Sequence, residues 1–352
     1  SDAEARLYTE VTDYVREEMN RVQRFVEDGR KRNNVGFALQ ILQRRLASSP
    51  AAIYQSLKRR RERLEAELSE AKLASKGEGL RSSDLRDNRW KDFEEYGPDE
   101  VDDIDELEDV IAARASSAET VEQLAMEVDA LRRLEEMALA VYHAGDDAKW
   151  KQLDQILDDE LMVDEDGHRR KLIIFTEPKD TLEYLQQKVT ARIGKPEAVD
   201  VIYGGVTREE RRKVVERFMQ DRDLLVLIAN DAAGEGVNLQ RGHLMVNYDL
   251  PWNPNKIEQR FGRIHRIGQT EVCHLWNLVA KDTREGDVYG RLLEKLEAAR
   301  EALGGRVYDV LGELFENRPL KDLLIDAIQY NEDDEVQKRL FEAVDGAVDQ
   351  QY

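Results

Sequence analysis

The chain has 352 residues, 41% of them hydrophobic, so it is long enough to bury the cores of two domains. Its 74 acidic and 53 basic residues give a formal net charge of −21, which fits an ordinary acidic protein or a salt-adapted one and confines any nucleic-acid surface to a local basic patch. Cys273 is the only cysteine, which excludes an internal disulfide and a cysteine-rich zinc site, and the lack of a signal-peptide pattern and of a long apolar stretch predicts a cytoplasmic protein away from membranes.

Residues 1–160 are predicted to form a helical region. In "EARLYTEVTDYVREEMNRVQRFVED" apolar residues recur every three or four positions, and further helical patterns lie on both sides of Pro50. Residues 58–63 are a basic run, interpreted as a solvated helix face that pairs with neighbouring glutamates, with nucleic-acid binding as the alternative. Residues 84–109 are strongly acidic and are predicted to form a surface loop or a partly disordered insertion.

From residue 161 to residue 284, short apolar segments alternate with amphipathic helical patterns. The strand-like segments are "KLIIFT", "VDVIY", "LLVLIA", "HLMVNY" and "VCHLWNLVA". This alternation predicts an α/β fold in which helices cover both faces of a parallel sheet. Ligands of such sheets bind at the carboxyl ends of the strands, where this chain has its glycine-bearing turns. Residues 285–352 are predicted to be a helical extension.

One segment concentrates positive charge within this acidic chain. "QRFGRIHRIGQ", residues 259–269, places Arg260, Arg263 and Arg266 three residues apart on a predicted helix, so two or three guanidinium groups can face one target. Planar guanidinium groups bind phosphate in a bidentate manner and remain charged. The spacing alone fits three roles: phosphoryl-transfer chemistry, binding of a nucleic-acid backbone, and pairing with acidic neighbours.

Four segments resemble the motifs of one protein family in the same order. "KLIIFTE", "VIYGGVTREERRKVVERF", "LLVLIANDAAGEGVNLQ" and "DLPWNPNKIEQRFGRIHRIGQ" resemble motifs of the superfamily-two helicases, and the Trp-Asn-Pro and His-Arg-Ile-Gly-Gln sequences are similar to those of bacterial and archaeal Swi/Snf-like ATPases. The resemblance implies that residues 161–284 are the second RecA-like lobe of such a motor. It also implies that residues 1–160 hold the end of the first lobe and an inter-lobe insertion.

The resemblance assigns roles to individual residues. It implies that Arg263 and Arg266 are arginine fingers for the γ-phosphate of ATP. Four further residues are implied to lie at the nucleotide: Gly234, Glu235, Gly236 and Gln259. Five residues are implied to lie toward the nucleic-acid backbone: Thr176, Gly205, Asn230, Asn238 and Trp252. Asn230 departs from the serine or threonine usual in the family, and core packing is an equal alternative for Trp252.

A motor of this family also needs a phosphate-binding loop of the form G-x-x-x-x-G-K-[ST] and an acidic magnesium-binding motif. Neither occurs in this sequence, so ATP with its Mg²⁺ is expected on a first RecA-like lobe outside it, and no metal ligand is expected within it. The expected partners are that lobe, ATP and double-stranded DNA, in a defence or remodelling complex. The alternative is a non-enzymatic nucleic-acid-binding or protein-interaction module derived from a helicase lobe.

Overall fold

The computed structural model divides the chain into two compact units. The helical unit comprises residues 1–147 and the sheet unit comprises residues 148–352. The structure describes residues 1–25, 29–74, 104–231, 239, 242–251, 254–264, 273–280 and 283–299, with single positions at 324, 338 and 342. The three predicted domains, with a first boundary after residue 160, remain a prediction beside this division.

Five helices form the described part of the helical unit. Their bounds are α1 (Asp2–Phe25), α2 (Gly29–Ser48), α3 (Pro50–Ala74), α4 (Ile104–Arg114) and α5 (Val121–Ala144). The predicted three-and-four spacing puts Leu7, Val11 and Val15 on one buried face of α1. Helix α3 packs along α5, and α1 packs along α2. A side-chain cap from Thr120 begins α5, and Gly145, with a left-handed φ of 66°, ends it.

The prediction of a solvated face for the basic run at residues 58–63 fails at Arg60, the one buried residue of the run. The side chain of Arg60 is wholly buried and forms an ion pair with the buried Glu127, at 2.7 Å between Nη2 and Oε1. Arg61 does pair with Glu65, as expected, and also with Glu135 on α5. Arg60 turns inward because α5 supplies the buried carboxylate of Glu127 opposite α3.

The acidic segment predicted as a loop ends in a helix. Residues 104–109 belong to α4, so the prediction was wrong for this part, whereas residues 84–103 lie outside the described residues. The reason is that arginines neutralise the acidic side chains. Arg44 forms an ion pair with Glu108, at 2.8 Å between Nη1 and Oε1, and Arg45 and Arg59 both form ion pairs with Asp109. Carboxylates paired in this way stabilise a packed helix instead of repelling one another.

Helices and strands alternate in the described part of the sheet unit. Its elements are α6 (Ala148–Leu157), β1 (Leu172–Phe175), α7 (Lys179–Ile193), β2 (Val199–Ile202), α8 (Arg208–Gln220), β3 (Val226–Ala229), β4 (Leu244–Asn247), α9 (Pro254–Ile264), β5 (His274–Asn277) and α10 (Arg284–Ala299). Short 3-10 helices lie at Glu160–Met162 and Pro196–Ala198. The predicted helical extension is described as far as the end of α10, and beyond residue 299 only positions 324, 338 and 342 are described.

The five strands form one parallel sheet in the order β2-β3-β1-β4-β5. Every residue of β1, β3 and β4 is buried, because helices cover both faces of the sheet centre. The α/β fold predicted from the alternation is therefore confirmed. Within the part of the chain that the structure describes, no helix combines the length and apolar character needed to cross a bilayer.

Candidate functional site at the carboxyl edge of the sheet

The carboxyl ends of the central strands meet at one level. The register pairs Phe175 at the end of β1 with Ala229 of β3 and with Asn247 of β4. The residues that follow these strands therefore converge at one edge of the sheet, where doubly wound proteins bind ligands. Most of them are polar here: Thr176 after β1, Asn230 and Asp231 after β3, and Asp249 two residues after β4.

Asp249 connects three segments of the sheet unit. Its Oδ1 accepts a hydrogen bond from Nζ of Lys149 on α6 at 2.7 Å. Its Oδ2 accepts from the hydroxyl of Thr176 at 2.5 Å and from the backbone N–H of Glu177 at 3.2 Å. The Lys149 ammonium also lies over the Tyr248 ring, 4.4 Å from its centroid. The bonds from Lys149, Thr176 and Glu177 help to compensate the burial of this charged carboxylate.

Arg260 is buried inside the sheet unit, whereas Arg263 on the same helix is half-buried. Its guanidinium is bidentate with Asp231, with Nε to Oδ1 at 2.5 Å and Nη2 to Oδ2 at 2.8 Å. Its Nη1 donates to the side chain of Asn247 at 3.1 Å and to the backbone carbonyl of Asp249 at 2.7 Å. Burial by itself lowers the pKa of Arg260, but the charge and hydrogen bonds of Asp231 outweigh burial and raise that pKa. Arg260 therefore fixes α9 to the strand ends.

Helix α9 has a buried face and an outer face. Ile257, Arg260 and Ile264, at helical spacing, are at most 2% exposed. Gln259 is exposed and Arg263 is half-buried, and their spacing of four residues puts them on one face of the helix. Anchoring by Arg260 therefore sets the direction in which Gln259 and Arg263 point.

The structure describes five of the residues that the sequence analysis assigned to the site. Thr176 is fully buried, Asn230 is buried, and Gly205 is exposed in the turn after β2. Gln259 and Arg263 share the outer face of α9. The other six predicted residues lie outside the described residues: Gly234, Glu235, Gly236, Asn238, Trp252 and Arg266.

The turn after β2 has little room for a side chain at Gly205. A Cβ there would approach the ring of Tyr203 to 3.0 Å, tighter than most real contacts. The same ring lies under the ammonium of Lys179, which is 4.8 Å from its centroid. Glycine therefore keeps this exposed turn compact beside a lysine of α7.

Sequence reasoning missed the partners that organise this edge: Lys149, Asp231, Asn247 and Asp249. A signal for three of them was present, because Asn247 ends a buried parallel strand and Asp231 and Asp249 each lie two residues after one. No comparable signal marks Lys149, which is separated from Asp249 by 100 residues. Among the residues that the structure describes, no group of three histidine, cysteine, aspartate or glutamate side chains is arranged to hold a metal ion.

Comparison with known proteins finds one matching domain in the sheet unit. Residues 148–268 match the helicase conserved C-terminal domain. The chain is 39% identical over 136 residues to the uncharacterized ATP-dependent helicase YqhH of Bacillus subtilis, covering 38% of this chain and 23% of that protein. It is 30% identical over 161 residues to the chromatin-remodeling ATPase INO80 of Emericella nidulans, covering 46% of this chain and 10% of that protein.

The helicase swr1 of Aspergillus fumigatus is 32% identical over 152 residues, which cover 43% of this chain and 8% of that protein. Among solved structures, the C-terminal part of the Fun30 ATPase domain has a TM-score of 0.45 and 18% identity, over 96% of this chain and 95% of that one. The aligned part of this chain spans less than a quarter of the length of each of the three curated relatives. Residues 148–268 are therefore similar to the conserved C-terminal domain of Swi/Snf-like ATP-dependent helicases.

Proposed function

We propose that the sheet unit is the second motor lobe of an ATP-dependent DNA translocase or helicase. Arg263 and Arg266 are its arginine fingers, and they act on ATP held with Mg²⁺ by a first RecA-like lobe. The observation that supports the proposal is that the two arginines of α9 have different surroundings. Arg260 is neutralised inside the unit by Asp231, whereas Arg263 lies on the outer face of the helix beside Gln259.

The chemistry suits this arrangement. Phosphoryl transfer spreads negative charge over the transferred group, and a positioned arginine stabilises that charge by a factor of about 10³ to 10⁵ in rate. A finger must be held stiffly to act in this way, and the bidentate bond between Arg260 and Asp231 supplies that rigidity one helical turn away. Gln259 lies on the same face as Arg263, in a position to contact the nucleotide. Gly234, Glu235 and Gly236 complete the proposed nucleotide contacts.

The proposed nucleic-acid contacts follow the carboxyl edge of the sheet. The backbone of Gly205 is exposed, and an exposed backbone N–H can bind a phosphate independently of the base sequence. Thr176 and Asn230 are buried in this structure, so their proposed contacts require this edge to open when nucleic acid binds. Asn238 and Trp252 complete the set. We propose double-stranded DNA as the track and a cytoplasmic defence or remodelling complex as the setting.

The test is nucleic-acid-stimulated ATP hydrolysis by the full-length protein. We expect duplex DNA to stimulate the wild type, and Arg266→Ala and Arg263→Ala each to lower turnover by about 10³-fold or more while ATP binding changes little. Arg222→Ala is the matched control, because this exposed arginine precedes β3 at the opposite edge of the sheet. Unchanged turnover in both finger variants would contradict the proposal and favour a non-enzymatic nucleic-acid-binding module.

A further inference from the structure

Lys149 occupies a position that the proposed motor chemistry does not use. It is the second residue of α6, and its side chain extends to Asp249 beyond the end of β4. The Lys149 side chain is 12% exposed and that of Asp249 is 8% exposed, so the pair is largely removed from water. A buried charge pair of this kind is strongly sensitive to the loss of either partner.

The other oxygen of Asp249 determines the conformation of the loop after β1. Oδ2 of Asp249 accepts hydrogen bonds from both the Thr176 hydroxyl and the Glu177 N–H. It therefore fixes two successive residues of the loop that leads into α7. Helix α7 begins after Pro178 without a side-chain cap. The direction in which α7 leaves the sheet therefore depends on the position of a carboxylate that Lys149 holds.

The location of this group within the sheet is equally specific. The chain leaves β1 toward β2 on one side and leaves β4 toward β5 on the other. The topological switch point therefore lies between β1 and β4, and the Thr176–Asp249 hydrogen bond bridges it. Any rearrangement of this bond acts on the part of the sheet where ligands of doubly wound folds are bound.

Electrostatics makes Lys149 more than a packing residue. The carboxylates of Asp231, Asp249 and Glu177 all act on Arg260, whose guanidinium is already bidentate with Asp231. The Lys149 ammonium donates directly to the carboxylate of Asp249. Removal of Lys149 adds one unit of negative charge to an edge that, under the proposed function, lies beside phosphates. A like charge opposes phosphate binding over a distance of about 10 Å, the screening length at ~0.1 M salt.

We propose that Lys149 is a positioning residue for nucleic-acid-stimulated turnover. It neutralises the charge of Asp249, which would otherwise repel phosphates, and it holds the loop of Thr176 and Glu177 in place until nucleic acid opens this edge. This inference rests on the proposed function and extends it to a residue outside the four helicase motifs recognised in the sequence. It makes α6 part of the nucleic-acid-responsive machinery.

The test compares Lys149→Ala, Asp249→Asn and the double variant in the full-length protein. We expect Lys149→Ala to raise the duplex concentration for half-maximal ATPase stimulation by about tenfold, since a unit charge acting on phosphates across roughly 10 Å has an effect of this order. Added salt screens the charge, so it should reduce the difference between Lys149→Ala and wild type in this half-maximal duplex concentration. In the double variant the half-maximal duplex concentration should lie within about threefold of the wild-type value. The side-chain oxygen of the introduced asparagine can still accept the hydrogen bonds from Thr176 and Glu177, but it carries no charge.

Lys188→Ala is the matched control, because this lysine lies over the Trp150 ring of α6, 5.6 Å from its centroid, without contacting Asp249. Hydrogen exchange at the Glu177 amide is a readout that needs no DNA, and we expect it to accelerate in Lys149→Ala but not in Lys188→Ala. If Lys149→Ala fails to fold, Lys149→Gln replaces it, because the glutamine amide can still donate to Asp249 without carrying a charge.

The outcomes separate the two proposals. If DNA does not stimulate the wild type, the proposed function fails, and the exchange measurement alone decides whether Lys149 positions the loop. If DNA stimulates the wild type and Lys149→Ala behaves like Lys188→Ala, the role of Lys149 is refuted. A defect in Lys149→Ala that Asp249→Asn does not relieve also overturns it, because charge compensation is then not the cause.

Discussion

Removal of the buried carboxylate of Glu127 should destabilise the helical unit severely. Its ion-pair partner Arg60 is wholly buried and also donates to the Tyr14 hydroxyl at 2.9 Å and to the Ala112 carbonyl at 2.7 Å. Glu127→Ala leaves the guanidinium in place without its counter-ion. Loss of one partner of a buried pair costs about 3–5 kcal/mol. Protection of the α3 and α5 amides should therefore fall by about 10²- to 10⁴-fold.

The assay is amide hydrogen exchange of the whole chain, read separately for peptides of α3 and α5. Glu62→Ala is the control, because the Glu62 carboxylate is 54% exposed and lies 3.6 Å from Arg61, where a surface pair contributes about 0–1 kcal/mol. Replacement of both Arg60 and Glu127 by methionine should destabilise less than Glu127→Ala, because no isolated charge remains. A loss below about 1 kcal/mol in Glu127→Ala would refute the reasoning, because the site would then tolerate an unpaired charge.

Two further predictions follow from the sequence and from the helical unit. The 352-residue chain by itself should hydrolyse no ATP above background with or without DNA, because it lacks a phosphate-binding loop; a DNA-dependent rate in a phosphate-release assay would contradict this. Burial, together with the nearby charge of Glu127, raises the pKa of Glu18, so the folded state holds this proton more tightly than the unfolded state does. Ionised Glu18 therefore destabilises the folded state. This loss of folding stability is complete above the raised pKa, and it is relieved as the pH falls through the raised pKa toward the unfolded value of about 4.3. Wild type should therefore gain thermal stability relative to Glu18→Gln on acidification from pH 7.5 to about 4, whereas parallel curves of melting temperature against pH would exclude the effect.

The sheet unit was largely predictable because its signals are local. Each buried strand is a short apolar run, and the parallel sheet follows from the alternation of such runs with helices. The same holds for the outer face of α9, since a spacing of four residues brings Gln259 and Arg263 together on any helix. Their final orientation was not predictable, because it depends on Arg260 meeting Asp231, 29 residues away.

Long-range pairing also explains the two errors in the helical unit. The run at residues 58–63 has the composition of a solvated face, and only the approach of α5 brings Glu127 to Arg60. Glu108 and Asp109 have the composition of a loop, and only α2 and α3 supply the arginines that neutralise them. Charge in a sequence gives the number of ion pairs that a chain can form, whereas the fold selects which residues form them.

At the carboxyl edge between β1 and β4, a carboxylate of the protein itself occupies the hydrogen-bond donors that a ligand could use. In doubly wound sheets this position is where an external ligand finds its donors, yet here the protein's own Asp249 receives them, with Lys149 as its counter-ion. An incoming anion at this edge therefore competes with an internal carboxylate for the same hydroxyl and N–H groups. The affinity of this edge for an anion is therefore the small difference between two similar sets of hydrogen bonds, one made to the anion and one made to Asp249.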